Sequence, residues 1–431
     1  MNQAFILLPD DVSFILSTLS VHGHTAYIVG GCVRDCVMQK TPEDWDICTS
    51  AKPQETKEAF SDFRTIDTGL SHGTVTVIVR KKPYEITTYR IDGDYQDNRR
   101  PERVTFISDL AKDLSRRDFT VNAMAYNESQ GLVDLFGGMR DIENRRIRTV
   151  GDAGERFLED ALRILRALRF ASTLGFAIDP ATARAIHENK SLLQTIAKER
   201  IQAEFSKLLV APGAHTVLRE FYDVFFEIIP GLPSDAGLFN QNFHAIACAK
   251  HDLEVRLALL LYNIAELNAE KTDFPAERSA EIAKTVLKSL RYENKVVSTV
   301  ATLILHHDTP IAPTGACVKK WLHTLGETRF KKLLLVRRAL SSSPKNENLL
   351  EELAQTEQCM QEILNKNDCF SLQTLAIGGN DLLALGLAGK DVGNMLDHLL
   401  ELVIAEKIPN KEEKLLKTAV EILNRTNKSK K

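Results

Sequence analysis

No run of 18 consecutive apolar residues occurs in this 431-residue chain, and no segment has the layout of a signal peptide. The expectation is a protein neither exported by that route nor set in a membrane. Cysteine is sparse: the seven are scattered, with no Cys-x-x-Cys and no paired spacing, which argues against zinc and against a disulfide scaffold and favours the reducing cytoplasm. Excess charge is lacking too, since 55 basic against 58 acidic residues leave a net −3, so no global signal for nucleic acid exists. What is present is ordinary for a globular protein, 44% hydrophobic and 26% charged, at a length that makes about two to four domains. Basic residues are bunched at Arg99-Arg100-Arg103, Arg116-Arg117, Arg140, Arg145-Arg146-Arg148 and Arg163-Arg166-Arg169. A nucleic-acid partner would meet a local stripe, although any one cluster alone reads as a solvated helix face.

The rest of the chain is organised around Tyr27 to Ser50. An apolar run, Ala26 to Val29, ends at Gly30-Gly31 and gives way to a helix-compatible pattern ending near Met38. Backbone N–H groups at such a turn can hold a phosphate, with Arg34 one turn on. Asp44-Trp45-Asp46-Ile47-Cys48 alternates with period two, so a strand here puts Asp44 and Asp46 on one face. Such a carboxylate pair can hold divalent cations, Mg²⁺ being suited to these oxygens plus substrate phosphates. Together the two halves resemble the first signature of the polymerase-β-type nucleotidyltransferases, G-G…D-x-D.

Around this stretch, residues 5 to 24 read as an amphipathic helix, Pro53 primes another, and Thr65 to Asp67 a strand. Gly73 to Arg80 and Tyr84 to Arg90 read as a hairpin turning at Lys81-Lys82-Pro83. Glu85 either completes a carboxylate trio with Asp46 or is a solvated cross-strand glutamate. Residues 91 to 113 read mostly as a mobile loop. Leu114 to Ala125 holds two arginines and an apparent helix start. Arg117 suits a triphosphate by its fork geometry, while Asp118 and Asn122 either contact a ribose or serve as a cap and an interhelical bond. Residues 155 to 171 read as one amphipathic helix with the stripe Leu158, Leu162, Leu165, Leu168. On it Asp160, Arg163 and Arg166 stand at i, i+3 and i+6, either an exposed ion pair or an acceptor and donors that match the edge of a base.

In order, G-G-x-x-R-D…D-x-D, R-R-D-F-T-x-N-A, D-x-F-G-G, E-D-A-L-R-x-x-R-A-x-R-F and E-R-I-x-x-E resemble the motif series of the bacterial class II tRNA nucleotidyltransferases, the CCA-adding enzymes, over about residues 20 to 210. A weaker resemblance recurs from Ile377 to Asn410. It implies an α+β fold: a polymerase-β-like palm with a mixed sheet (1–137), then an all-α neck that recognises the base (138–210), a body (211–315) and a tRNA-binding tail (316–431). It implies Asp44 and Asp46 as metal ligands, with Gly31, Arg34 and Arg117 on the sugar or phosphates of the incoming CTP or ATP, beside Gly30. Asp160 and Arg163 would read the base, supported by Arg166 and Arg169, while Glu199, Arg200 and Glu204 brace the neck.

A related branch carries a phosphohydrolase His-Asp pair in the body; here Tyr262 and Asn263 stand at those places, and His306-His307-Asp308 reads as packing or surface. The closing NRTNKSKK reads as a short disordered tail. The activity implied is template-independent addition of C, C and A to the 3′ end of tRNA. Poly(A), CC-only or A-only addition, a phosphohydrolase and a non-catalytic RNA-binding scaffold are the rival readings, and the retained stretch Arg90 to Arg103 leans towards full CCA addition.

Overall fold

The computed structural model describes residues 6–93, 95, 96, 100, 101, 104–268, 273–342 and 347–429. The chain divides into two compact units, Met1–Ala236 with Ser289–Arg291, and Gly237–Lys288 with Tyr292–Lys431.

The first unit is α+β. It opens with α1 (Asp10–Val21), β1 (Ala26–Val29), α2 (Gly31–Val37), β2 (Ile47–Thr49), α3 (Pro53–Ala59), β3 (Thr65–Gly69), β4 (Thr74–Val79) and β5 (Lys82–Thr88). Next come β6 (Arg90–Asp92), β7 (Tyr95–Gln96), β8 (Arg100–Pro101), β9 (Val104–Phe106), α4 (Leu110–Ser115), β10 (Met124–Asn127), β11 (Gly131–Asp134) and α5 (Gly138–Glu143). A seven-stranded sheet runs β11-β10-β1-β2-β5-β4-β3. It is mixed, because β2 and β5 pair in parallel (Ile47 with Ile86) while the other neighbours are antiparallel.

Each face of the sheet has its own core. On one, Val12, Ile15 and Leu19 of α1 and Val33 of α2 are fully buried against Ile28, Val75, Val77 and Ile86; each such side chain contributes about 1.5–3 kcal/mol. The smaller core on the other face joins Tyr27, Val29, Cys48, Tyr89, Leu114 and Ala125. Asp46, next to the start of β2, falls on the side of Cys48, while Trp45 packs against the larger core.

Several elements differ from the sequence reading. The first helix begins at Asp10, after Pro9, and not at residue 5. Strand β2 starts at Ile47, because its partner β1 ends at Val29. The Val29 N–H still donates to the Asp46 carbonyl (3.0 Å), and then Gly30, with φ 82°, turns the partner away. The hairpin turns at Arg80-Lys81, both with positive φ, so Val79 pairs with Lys82 and Pro83 lies within β5 opposite Ile78. Ile78 sends its N–H to Arg64 O instead (2.9 Å), so the proline breaks no bond of that ladder.

The stretch read as a loop holds two short antiparallel ladders, β6 with β9 and β7 with β8, where Ile91, Val104 and Thr105 favour extended backbone. Arg99 and Arg103 lie outside the described residues. The helix expected after Asp118 is a single 3₁₀ turn, Thr120–Asn122, followed by β10, which is sandwiched between β1 and β11. Met124, Ala125 and Tyr126 are buried there, and that burial overrides the helix preference of small residues.

After β12 (Arg146–Ile147), the 155–171 helix is two: α6 (Ala153–Glu159) and α7 (Leu162–Leu174). Asp160 between them is extended (φ −142°, ψ 101°) and its Oδ1 accepts from the N–H of Leu162, the first residue of α7 (3.1 Å). Leu158, read as part of the apolar stripe, is 53% exposed. The chain continues through β13 (Ala177–Ile178), paired in parallel with β12, then α8 (Pro180–Asn189) and α9 (Lys198–Leu209).

The second unit is helical throughout its described residues. Of the tail read as disordered, residues 424–429 end the helix Glu412–Ser429, and Lys430 and Lys431 lie outside the described residues. Where a His-Asp pair would stand, Asn263 accepts from Asn242 Nδ2 (2.8 Å) and Tyr262 meets His307 edge-on, with His306 against Trp321. Asn410 clamps a turn, accepting from Ala376 N (2.8 Å) and donating to Thr374 O (2.9 Å). Among the described residues no helix is long and apolar enough to cross a membrane.

Candidate active site

The turn after β1 sets the site. Gly30 needs its positive φ, and a Cβ there would stand 3.3 Å from Arg117 Nη1, so the glycine also makes room for that guanidinium. Arg117 is thus brought to the mouth of the turn, opposite the two carboxylates. Burial, opposed by Arg117 and reinforced by Asp44, raises the Asp46 carboxyl above its ordinary range. Both carboxylates still reach solvent, so a cation can approach them.

Arg117 is positioned by α4. Asp109 caps that helix, accepting from Ala111 N (2.9 Å), and one turn on Asp113 is fully buried. Asp113 accepts from Arg116 Nη2 (2.8 Å), Arg117 Nη2 (3.1 Å) and Arg90 N (3.2 Å). Burial would raise its carboxyl, but Arg117 and Arg116 outweigh that and hold it below the usual range. Arg117 keeps a buried Nε with no hydrogen-bond partner, so donors remain for an anion at the turn.

Deeper in, side chains of the sheet layer meet those of α7 and α9. Asp118 accepts from Arg166 Nε (2.8 Å) and Nη2 (2.5 Å) on Oδ2 and from Phe119 N (2.8 Å) on Oδ1. Burial would raise this carboxyl too, and Arg166 outweighs it. Asn122 takes Arg34 Nη1 on its amide oxygen (2.8 Å) and turns its Nδ2 to Asp118 (3.4 Å). Three guanidinium groups surround the Phe170 ring: Arg34 at 5.4 Å, Arg166 at 5.5 Å and Arg169 at 4.1 Å, with Phe119 packed edge-on at 5.7 Å. Arg169 is anchored in turn to Glu204 of α9 (2.6 Å).

Asp160 and Arg163 do not pair with each other. Asp160 Oδ2 accepts from Arg200 Nη2 of α9 (2.9 Å), and Arg163 bonds Glu159, the Arg156 carbonyl (3.2 Å) and the Arg116 carbonyl (3.0 Å). Arg163 donates twice from Nη1 and once from Nη2, which leaves Nε–H and one Nη2–H of its five donors. Each Asp160 oxygen keeps acceptor capacity as well. Both side chains are therefore oriented by the protein and still hold the donors and acceptors that a base edge needs.

Glu85 lies one residue before the Ile47–Ile86 pair, level with Asp46 on the adjacent strand, and is exposed. Among the described residues no three His, Cys, Asp or Glu side chains form a metal-sized group, so a cation here would depend on the carboxylate pair and on ligand oxygens. Two contributors escaped sequence reading. Asp113 was announced by S-D-L-A-K-D, an N-cap with a carboxylate at i+4, and by its spacing of three and four to Arg116 and Arg117. Phe170 closes the E-D-A-L-R motif, but nothing local signals its ring of arginines.

A family model described as the poly A polymerase head domain matches residues 26–148, one described as the probable RNA and SrmB-binding site of polymerase A matches 175–230, and one described as tRNA nucleotidyltransferase domain 2 putative matches 276–419. The chain is 36% identical over 416 residues to the CCA-adding enzyme of Lactiplantibacillus plantarum, covering 93% of both chains. It is 36% identical over 409 residues to that of Enterococcus faecalis, covering 94% of both. The crystal structure of the Bacillus stearothermophilus CCA-adding enzyme in complex with CTP superposes with a TM-score of 0.77 at 32% identity, over the whole of both chains. Sequence, fold and full-length similarity thus agree, and this chain belongs to the CCA-adding enzymes, the tRNA nucleotidyltransferases with a poly(A) polymerase head.

Proposed function

We propose that this protein adds C, C and A in turn to the 3′ end of tRNA, taking CTP and ATP without a template and releasing pyrophosphate. The observation that carries the reading is the convergence, in one unit, of a glycine turn, a carboxylate pair with one carboxyl raised by burial, and arginines from both the sheet layer and α7. Similarity to a CTP-bound enzyme over the full chain supports it.

Asp44 and Asp46 fit a hard divalent cation, because two carboxylates that repel each other gain from a cation between them. We assign Mg²⁺ to them; when bound it would supply charge neutralisation at the triphosphate and a lowered pKa at the attacking hydroxyl. In the reaction the primer 3′-oxygen attacks the α-phosphorus of the nucleotide, and the bond to pyrophosphate breaks in line. The protein's own groups bind and orient. Gly30 and Gly31 let the phosphates approach the backbone, and Arg117 offers its free donors to them. Arg34, held by Asn122, lies on the sugar side, and Asp118 is the acceptor that fixes Arg166 while facing the ribose.

Asp160 would accept from the exocyclic amine, N4 of cytosine or N6 of adenine, and Arg163 would donate to the adjacent ring acceptor, so both permitted bases share one pattern. Arg169 and Glu204 hold α7 against α9 behind this pair. Glu85, level with Asp46, is positioned to orient the primer hydroxyl. The boundaries 1–137, 138–210, 211–315 and 316–431 are retained as proposed functional regions, the first supported by Gly137, whose positive φ ends the sheet layer before α5. Contacts to tRNA fall on phosphates and 2′-hydroxyls, since every tRNA sequence must be accepted. Free thiols at all seven cysteines suit the cytoplasm, where that substrate is found.

The test is to incubate purified protein with tRNA ending before CCA, after C or after CC, offer CTP, ATP or both, and sequence the products. One nucleotide at a time, ending at CCA, is expected. Addition of A alone, stopping after CC, or long A tails would overturn the reading.

A further inference from the structure

The second unit contains a cavity of about 740 Å³, within the ~300–1,000 Å³ range of small-molecule sites. It lies between the segment 307–313 and the helices Gly315–Leu340 and Glu347–Asn365, and includes Tyr262 and His307 of the region that a His-Asp pair would occupy. One wall residue is anomalous. Arg337 is only 8% exposed, yet the single hydrogen bond of its guanidinium among the described residues runs from Nη1 to the Thr309 carbonyl, and its Nε is buried with no partner. A buried Nε–H with no acceptor is costly unless something else accepts from it.

The surroundings define what that acceptor is attached to. The carboxylates that act on Arg337, Asp308 and Glu352, line the same cavity and offset the charge that would draw a phosphate. They are acceptors beside a donor fork, so the matching ligand carries acceptors and donors close together on its rim. The other walls, Tyr262, Ile311, Leu340 and Leu349, are aromatic or aliphatic and suit a flat ring. Guanine carries both sets on adjoining edges: O6 and N7 accept from an arginine, while N1–H and the 2-amino group donate to a carboxylate. Adenine has an amine in place of O6 and offers an arginine N7 alone, so it loses one of the two acceptor contacts that guanine makes.

We propose that this cavity is a guanine-binding site, separate from the nucleotidyl-transfer site, with Arg337 as its central donor and Asp308 or Glu352 as acceptor. The guanine comes either from a free guanosine nucleotide or from an unpaired residue of an RNA.

The full-length protein, its transfer site saturated with CTP, is titrated calorimetrically with guanosine 5′-monophosphate, with AMP, and with single-stranded RNA tetramers carrying one guanine or an adenine in its place. Guanine ligands should bind at least about tenfold tighter than their adenine counterparts, the scale of one good two-point base contact. Arg337→Gln and, as a variant that fills the cavity while keeping the arginine, Leu349→Trp should each weaken binding by about tenfold or more, with CTP affinity at the transfer site within about twofold of wild type. Tighter binding of the tetramer identifies RNA as the source, and tighter binding of the mononucleotide identifies a free nucleotide. Equal affinity for guanine and adenine, no binding of any probe, or binding untouched by both substitutions would overturn the proposal.

Discussion

Asp46 is placed between opposing charges, and its protonation reports that placement directly. Burial and Asp44 push its carboxyl up, and Arg117 opposes them. Replacing Arg117 with Gln should therefore raise the Asp46 pKa further, and Asp44→Asn should lower it, both followed by carbon-13 NMR titration of the carboxyl. A downward shift in the Arg117 variant would contradict the geometry. Phe170 makes a different statement at the same scale. Its ring touches no substrate in the proposed mechanism but holds three arginines, each contact contributing about 0.5–2 kcal/mol. Phe170→Leu should thus raise KM for CTP and ATP by about tenfold with a smaller change in kcat, whereas Phe170→Trp, which keeps a π face, should stay near wild type. Equal kinetics for the two variants would make Phe170 ordinary packing.

Among the elements, α4 is the one whose loss should be felt furthest, because its fully buried Asp113 ties Arg90, Arg116 and Arg117 together. Removing one partner of such a buried pair costs about 3–5 kcal/mol, so Asp113→Asn should lower stability on that order at pH 7. The Asp113 carboxyl is depressed in the folded state, since Arg117 and Arg116 outweigh burial. Its stabilisation is therefore present above the unfolded value of about 3.9 and fades as pH falls through the folded one. Urea unfolding of wild type and Asp113→Asn should show a gap that narrows below about pH 4; a gap that widens towards acid would contradict the ion-pair account. Elements bounded by local signals were legible in the sequence: β1 by its apolar run into Gly30, α3 by Pro53, the β4–β5 hairpin by alternation. Elements decided by their neighbours were not. The small residues of β10 look helical until burial between β1 and β11 is known, and the leucine spacing of 155–171 runs straight through the break at Asp160. The carboxylate pair and Arg117 could be named from residue type and order, but the partners of Asp160 and Arg163 lie on α9 and α6, beyond any local pattern.

For the whole molecule, a net charge of −3 means that tRNA must be held by clustered arginines and not by the general field. A plot of log affinity for tRNA against log salt should have a slope of about −3 to −5, the mark of a handful of phosphate contacts. A slope near −10 would indicate an extensive basic surface that the composition does not provide. The central claim is that one site, built on Asp44 and Asp46, performs all three additions. It is tested most directly by offering CTP and ATP together to tRNA lacking CCA and sequencing the products of wild type and Asp46→Asn. The account predicts C, C and A, then arrest, for wild type, and an unextended tRNA for the variant. Extension by the variant at the wild-type rate, or a wild-type product other than CCA, would contradict it.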